Sequence, residues 1–563
     1  DYKRVVDAYT AGVNAYINSL TESSLPVEYK LLDYKPEAWS NLKIALFLKQ
    51  MSKELAGFER DLEFTNTKQV FNVEEMKRLF PQFSDSSAPI IPKGTAFEKP
   101  AIVPVKPATA DSLYFGKDTI IRVQEAFKPD RNNGSNNWAV NGVKTKSGAP
   151  ILCNDPHLSL TLPSIWYEMQ ISTPEMNVYG ASFPGTPTII IGFNDSIAFG
   201  FTNAGRDVKD YYQIRFKDNS KKEYWYNGSC QPTKLRIEEI KARGEICCYD
   251  TVAYTVFGPV MYDNSFTIDS ANHTALAVRW MAHDPSDEGL MWIRLDKAKN
   301  YHDFEEAIKV FKCPAQNMLF ASASGDIAIW QQGQFPARWR GQGLYVMPGE
   351  DSSYRWQGFI PQEQNPHILN PTSGFIQSAN QMPVDSAYPY FIPGHYFVPR
   401  GVTIANRLTH MQQITPQDMM LLQNDTHSSI AADAVPLLLR NLYEQNFSDK
   451  ENYYLNMVKK WDYTYTPETQ APTVYQAWID SLKSIIWKDE FAQIKGPKTL
   501  PDEQTLVEWL LRDTAMKFID DIRTPEKETL PQQVTKAFRL AITGLNKEVN
   551  ENELIWWKHK NTS

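Results

Sequence analysis

Apolar positions follow different rhythms along this chain. Over residues 1–20, Val5, Val6, Tyr9, Val13, Tyr16, Ile17 and Leu20 fall on one helical stripe that ends in a polar turn, and a second helical region is expected over about 42–71. From 81 to about 130 the periodicity stops. Ser84-Asp85-Ser86-Ser87-Ala88-Pro89, Ile90-Ile91-Pro92-Lys93-Gly94 and Pro104-Val105-Lys106-Pro107 read as an extended connector. Short strand-like runs then follow closely at 138–140, 151–153, 165–171, 188–191, 197–201 and 211–216, separated by turns rich in Gly, Asn and Pro, and the sheet continues through 252–262 and 275–280. From about 415 the helical period returns, at 434–443, 474–487, 506–522 and 534–545. Strands first and helices later predict an α+β or layered architecture, with no internal repeat.

At 563 residues, the chain has room for several cores or for one large sandwich with insertions. The 42% hydrophobic and 22% charged content is that of a globular protein, and a net charge of −8 provides no basic footprint for nucleic acid. No run of 18 apolar residues marks a membrane span, and Asp1-Tyr2-Lys3-Arg4 is not a signal peptide. The chain opens without Met, as a piece of a longer precursor does. Cys153, Cys230, Cys247, Cys248 and Cys313 are too few and too irregularly spaced for a disulfide framework or a zinc site. One disulfide stays open, and the vicinal pair Cys247-Cys248 reads as a local structural feature.

Chemistry is concentrated where connector meets first strand, in Arg131-Asn132-Asn133-Gly134-Ser135-Asn136-Asn137-Trp138. Asn-Gly-Ser alone is a turn. Here, however, the serine opens a strand. The chain carries no Gly-x-Ser-x-Gly elbow, no His-Glu-x-x-His, no phosphate-binding loop and no dinucleotide fingerprint, and nothing selects one of nine histidines for a triad. Another arrangement is an N-terminal serine freed by chain cleavage, whose own α-amino group serves as base. Such an amine has a pKa of about 7.7–8.0, so part of it is neutral near pH 7. Ser135 fits this role, with Gly134 before it supplying backbone freedom.

The run Gly134-Ser135-Asn136-Asn137-Trp138-Ala139-Val140, then Asn154-Asp155-Pro156-His157, then Gly192-Phe193-Asn194-Asp195 and Phe199-Gly200-Phe201-Thr202-Asn203-Ala204-Gly205, resembles the penicillin acylase family of N-terminal nucleophile hydrolases. The resemblance implies a four-layer αββα sandwich with helical insertions, and a precursor that cuts itself before the serine. It divides the chain into a helical small-subunit portion (1–80), a spacer (81–134) and a large subunit (135–563). It also implies a periplasmic or secreted protein, two chains that stay associated after cleavage, and sequence beyond both ends of this chain.

Carried over by motif, Ser135 is the nucleophile and its freed amine the base. The resemblance puts one oxyanion donor at the backbone N–H of Ala204, with Asn203 as the other register, and the second at Asn380 in Ser378-Ala379-Asn380-Gln381. His157 matches a position beside the nucleophile, and Arg407 in Ala405-Asn406-Arg407 one that supports the site. Asp207 and Asp210 resemble a structural calcium site, with Asp61, or Glu63 in the rival register, as a further carboxylate. The implied activity is cleavage of a small-molecule N-acyl amide through an acyl-serine. Penicillin, cephalosporin and acyl-homoserine-lactone acylases all fit. The competing expectation is a non-catalytic binding protein for glycans or peptides, raised by 15 Trp and 27 Tyr.

Overall fold

The computed structural model describes residues 2–56, 58–123, 128–130, 133–242, 248–263, 275–443, 447–547 and 554–560. Arg131, Asn132 and Cys247 of the motifs above lie outside them. The chain opens with helices α1 (Tyr2–Ser19), α2 (Val27–Leu32), α3 (Asn41–Leu55), α4 (Asp61–Thr67) and α5 (Val73–Leu79). The single helical region expected over 42–71 is therefore two helices, α3 and α4. At the start of α5, Asn72 and Glu75 form a reciprocal capping box that satisfies two otherwise orphaned backbone donors.

The serine-bearing segment is strand β1 (Gly134–Val140), the centre of a three-stranded antiparallel sheet between β2 (Ile151–His157) and the strand Phe375–Ser378. Side chains alternate along a strand, so Trp138 and Val140 point one way while Ser135, Asn137 and Ala139 point the other. After α6 (Glu288–Leu295) and α7 (Tyr301–Ile308) the chain forms α8 (Pro399–His410) and α9 (Pro416–Gln423), and the first face packs on Ile404 and Leu408 of α8 and on Met419 and Leu422 of α9. The second face turns inward, where Ala139 joins a core with Leu319 and Ile329 of a second sheet. Ser135 therefore opens into the gap between two sheets.

The second sheet has seven strands. Four of them, β3 (Tyr167–Thr173), β4 (Met176–Ser182), β5 (Ile191–Asn194) and β6 (Ile197–Asn203), form a meander, and Gln316–Ser322, Ile327–Gln332 and His367–Leu369 complete it beyond β6. Its far face carries Val178, Phe199, Met318 and Phe320 against Trp292 of α6 and Phe304 of α7. A third sheet of six strands contains β7 (Lys209–Ile214). Its core continues into the C-terminal helices, where Trp478 and Trp487 of the helix Ala471–Ala492 are fully buried. The helix expected over 506–522 is Glu503–Arg512 followed by a separate short turn at Lys517–Ile519. The fold is α+β. Among the described residues no helix is long and apolar enough to cross a membrane, and Cys153, Cys230, Cys248 and Cys313 are free thiols.

The connector differs from the expectation of a loosely attached spacer. Its described residues before Gly134 form no helix or strand, but up to Val123 it is part of the core: Ile91, Tyr114 and Ile121 are each at most 1% exposed. Its backbone is also tied down. The Ile91 N–H donates to the Pro383 carbonyl (2.8 Å), the Tyr114 hydroxyl donates to the Gly341 carbonyl (2.7 Å), and Asn66 exchanges two 2.8 Å hydrogen bonds with the Ile121 backbone. The division at 80/81 has no counterpart in the packing. Pulling out three fully buried side chains would cost about 1.5–3 kcal/mol each in apolar burial alone. If the mature protein loses a spacer, the loss is expected to fall between Val123 and Ser135. Intact-mass measurement of the small chain should then show a C-terminus at or beyond Val123. A small chain ending near Pro81 would contradict this packing.

Candidate active site

Ser135 lies at the mouth of the gap between the two sheets, one residue into β1 and 5% exposed. Asn203, the last residue of β6, approaches it from the facing sheet. The backbone N–H of Asn203 donates to Ser135 Oγ at 3.1 Å. Asn380, two residues beyond the strand Phe375–Ser378, contacts both ends of the serine. Its Nδ2 donates to Ser135 Oγ (3.3 Å) and to the Asn203 carbonyl (2.7 Å), while its Oδ1 accepts from the Ser135 N–H (2.9 Å). The Ser135 N–H on one side and the Asn203 carbonyl on the other fix which end of the amide is oxygen. Asn380 holds this position with φ at +68°, a left-handed conformation uncommon outside Gly and most tolerated by Asn and Asp.

Of the two registers for the backbone donor, the geometry selects Asn203. The Ala204 N–H donates to the Ala315 carbonyl at 3.1 Å and is spent there. The Asn203 side chain is locked as well, giving Nδ2 to the Leu55 carbonyl at the end of α3 (2.8 Å) and accepting from the Gly205 N–H (3.0 Å). Behind it, Asn317 donates to Thr202 Oγ1 (3.2 Å) and Ser378 Oγ (3.0 Å), and these two hydroxyls lie 2.6 Å apart. This buried polar network spans both sheets.

Arg407 does not reach the site. It lies on α8 with Nε 2.7 Å from Asp425 Oδ2, its side chain about half exposed. The arginine at Ser135 is Arg400, in the first turn of the same helix. Its Nη1 donates to the Ser135 carbonyl (2.9 Å) and to Asn136 Oδ1, and its Nη2 donates to Asn380 Oδ1 (2.7 Å). Burial lowers its guanidinium to about 10, against the pull of Asp155, so it stays charged at neutral pH. Gly134 makes room for it: a Cβ there would stand 2.7 Å from Arg400 Nη2. The glycine is needed for this close approach and not for a left-handed backbone, since Gly134 is absent from the positive-φ glycines of the described chain. A cation in the first turn of a helix opposes the macrodipole. That misplacement was the one sequence signal for Arg400.

His157 sits across the ladder from Gly134 but points to Asp155, with Nε2 2.8 Å from Oδ2, and reaches Asn136 Nδ2 at 3.4 Å. Burial raises the Asp155 carboxyl, but hydrogen bonds led by that from His157 outweigh it and hold the group below its ordinary range. His157 is thus a neighbour of the site, one residue removed from the serine.

Beside Ser135 opens a cleft walled by Met51, Trp166, Phe183, Phe201, Trp292 and Phe311.

Asp61, Asp207 and Asp210 do come together, deeply buried, but around a side chain. Arg338 Nη1 lies 2.8 Å from Asp210 Oδ1 and 3.4 Å from Asp207 Oδ2, and the side chains of Arg338 and Asp210 are at most 1% exposed. Trp356 Nε1 donates to the other Asp210 oxygen, and Asp61 Oδ2 accepts from the Tyr211 N–H (3.2 Å). Gly343, at φ +80°, leaves the space: a Cβ there would overlap Arg338 Nη1. Burial acts against the guanidinium, yet Asp207 and Asp210 hold its pKa above the ordinary value. Burial raises Asp207 despite Arg338, with Asp210 and Glu59 adding to the rise, and burial together with Asp207 and Asp210 raises Asp61. Glu63, the rival register, accepts from Lys128 Nζ. Among the described residues no group of three or more His, Cys, Asp or Glu is arranged to hold a metal ion. This donor set, turned onto an arginine, an indole N–H and a backbone N–H, does not fit calcium as arranged.

The model of the penicillin amidase family matches residues 1–563. The chain belongs to the penicillin amidase family. It is 24% identical over 594 aligned positions to an acyl-homoserine lactone acylase of Pseudomonas syringae, covering 98% of this chain and 68% of that protein. It is likewise 24% identical to the penicillin acylase 2 proenzyme of a Pseudomonas species, over 86% of this chain and 61% of the relative. Among solved structures, a thermostable penicillin G acylase from Alcaligenes faecalis superposes with a TM-score of 0.61 at 20% identity, covering 75% of this chain and 80% of that one. The named relatives are acylases, and this chain shares the amidase family with them.

The acidic cluster yields a prediction. Excess EDTA should leave the thermal midpoint of the purified protein unchanged, whereas Arg338→Met, which strands buried carboxylates at a cost of about 3–5 kcal/mol, should lower it clearly. A midpoint that falls in EDTA and recovers with added calcium would reverse this reading.

Proposed function

We propose that this protein is a self-processing N-terminal-serine amidohydrolase that cleaves small N-acylated substrates through an acyl-Ser135 intermediate, in the periplasm or outside the cell. The observation that carries the reading is the convergence of the Asn203 N–H and Asn380 Nδ2 on Ser135 Oγ while Asn380 Oδ1 takes the Ser135 N–H. The packing of α8 and α9, then the β1 sheet, then the β6 sheet, then α6 and α7 supports the αββα layering of this reading.

In the uncut chain, Ser135 Oγ attacks the Gly134 carbonyl carbon, the acyl group passes from nitrogen to oxygen, and water hydrolyses the ester. This frees Ser135 with an α-amine that Asn380 Oδ1 already orients. In catalysis the neutral amine accepts the Oγ proton as Oγ attacks the substrate carbonyl. Negative charge then develops on the acyl oxygen, where Asn203 N–H and Asn380 Nδ2 are preorganised to meet it. Arg400 holds Asn380 Oδ1 toward the amine, and its fixed positive charge disfavours protonation of that amine, keeping a base available. The proton passes to the leaving nitrogen, the amine departs, and water cleaves acyl-Ser135 by the same steps.

The alternative of an aromatic-rich binding protein finds no support in the tryptophans, although seven of the described tyrosines, Tyr249 and Tyr16 foremost, are exposed. Of 15 tryptophans, Trp557 alone is among the exposed large apolar side chains, at 40%.

N-terminal sequencing with intact mass should find a chain beginning Ser-Asn-Asn-Trp in the wild-type protein and a single uncut chain in Ser135→Ala, which should also lack amidase activity. Asn380→Ala, if processed, should lose about 10²–10³-fold in kcat. Equal processing and equal amide hydrolysis by Ser135→Ala would remove the serine from the mechanism.

A further inference from the structure

The cleft beside Ser135 is apolar along its walls but not throughout its lining. Glu288, the first residue of α6, lines the same cavity and is 6% exposed. Its Oε1 accepts from the Cys313 N–H (3.3 Å) and its Oε2 from Ser286 Oγ (2.6 Å). Its ionic partner, Lys49, stands 4.0 Å away, outside hydrogen-bond reach, and gives its own hydrogen bond to Ser286 Oγ at 3.1 Å. An ionised carboxylate in an apolar pocket is costly unless donors satisfy it. Two hydrogen bonds and one loose cation leave acceptor capacity on a group with about four lone-pair sites.

Helix α3 gives the distance from the serine. Leu55, at its end, accepts the Asn203 side chain and so marks the reacting end of the cleft. Ser52 and Lys49 line the same cleft one and two turns back. At 1.5 Å per residue, Ser52 and Lys49 lie about 4.5 Å and 9 Å along the axis from Leu55, and Glu288 is tied to both levels, through Cys313, whose carbonyl accepts from Ser52 Oγ (3.4 Å), and through Lys49. An extended chain advances about 1.2 Å per bond, three bonds making one residue length, so an acyl chain of about four to eight carbons spans that range.

We infer that the acyl pocket selects chains with an apolar stem and a hydrogen-bond donor, a hydroxyl or an ammonium group, at the distal end, and that Glu288 is the residue that receives it. The inference rests on the acyl-Ser135 reading. A plain alkyl end placed against Glu288 would leave the carboxylate's remaining acceptor sites facing hydrocarbon, whereas a donor satisfies them. Selection therefore comes as much from penalising the apolar end as from rewarding the polar one.

The test uses the mature enzyme with p-nitroanilides of hexanoic, 6-hydroxyhexanoic and 6-aminohexanoic acid. The donor-bearing substrates should exceed hexanoyl in kcat/KM by at least about 10-fold, mostly through KM, with the hydroxy and amino arms showing which donor is preferred. Glu288→Gln, which keeps an acceptor but loses the charge, should retain the hydroxyl preference and lose most of any ammonium preference. Glu288→Leu should abolish both and favour hexanoyl. Appearance of the Ser-Asn-Asn-Trp terminus in each variant shows that the fold has formed, and if a variant does not process, the wild-type comparison decides. A processed wild-type enzyme that cleaves hexanoyl as well as or better than its donor-bearing counterparts overturns this inference alone. Absence of both processing and anilide cleavage overturns the acyl-Ser135 reading along with it.

Discussion

The side-chain amide of Asn380 is the contact on which the arrangement of this site depends. It follows the three-stranded sheet in sequence, yet its nitrogen hydrogen-bonds the carbonyl of Asn203 at the end of the seven-stranded sheet. Apolar packing between two sheets is strong but non-directional and tolerates small slides. A buried amide whose donor and acceptor ends are both engaged tolerates far less, because each lost hydrogen bond leaves a polar atom stranded in a dry gap. Thr202, Asn317 and Ser378 extend the same lock beneath it. The positive φ of Asn380 is a local cost, offset by the number of partners that fix it.

Around that lock, distant parts of the chain are recruited for single tasks. Helix α3 contributes a backbone carbonyl that orients Asn203 and a row of side chains that walls the cleft. Helix α8 contributes Arg400 from its first turn, where the macrodipole disfavours a cation, and the carbonyl of Ser135 with the oxygens of Asn136 and Asn380 provide the compensation. Gly134 is then required because the guanidinium occupies the space of its missing Cβ. Positioning Ser135 is thus the work of two sheets and two helices, with the connector that precedes it packed into the body up to Val123.

Much of this was legible in the sequence, and the rest was hidden for identifiable reasons. The strand after Gly134-Ser135, β2, β3, β6 and the helical C-terminal part follow from apolar spacing, whereas β4 was not expected and the run expected over 188–191 meets β5 only at Ile191. The hairpin of Gln316–Ser322 and Ile327–Gln332 does not, because it is buried at every position and carries Gln and Asn among its apolar residues, so no alternation betrays it. Ser135 and Asn380 stood out by motif. The choice between Asn203 and Ala204 turns on which backbone N–H the turn leaves pointing at the serine, and sequence spacing carries no information about that. Arg407 was selected by its neighbours in sequence, whereas Arg400 is selected by the helix start that aims it. The connector read as loose because burial in an irregular segment has no period, although Ile91, Tyr114 and Ile121 are as enclosed as any strand residue.

The acidic cluster shows the limit of motif reading most plainly. Asp207-x-x-Asp210 brings two carboxylates to one buried point, and any cation of suitable size satisfies the electrostatics there. Which cation it is depends on Arg338, 128 residues after Asp210 in sequence, and on Gly343, whose lack of a side chain admits the guanidinium. A planar guanidinium forms directional hydrogen bonds, whereas calcium asks for six to eight oxygens around a sphere. The aspartates here are turned to the first requirement: one Asp210 oxygen faces Arg338, the other the Trp356 indole, and Asp61 faces a backbone N–H. A pair of acids thus specifies the sign of its partner, and the geometry of the remaining donors specifies the kind.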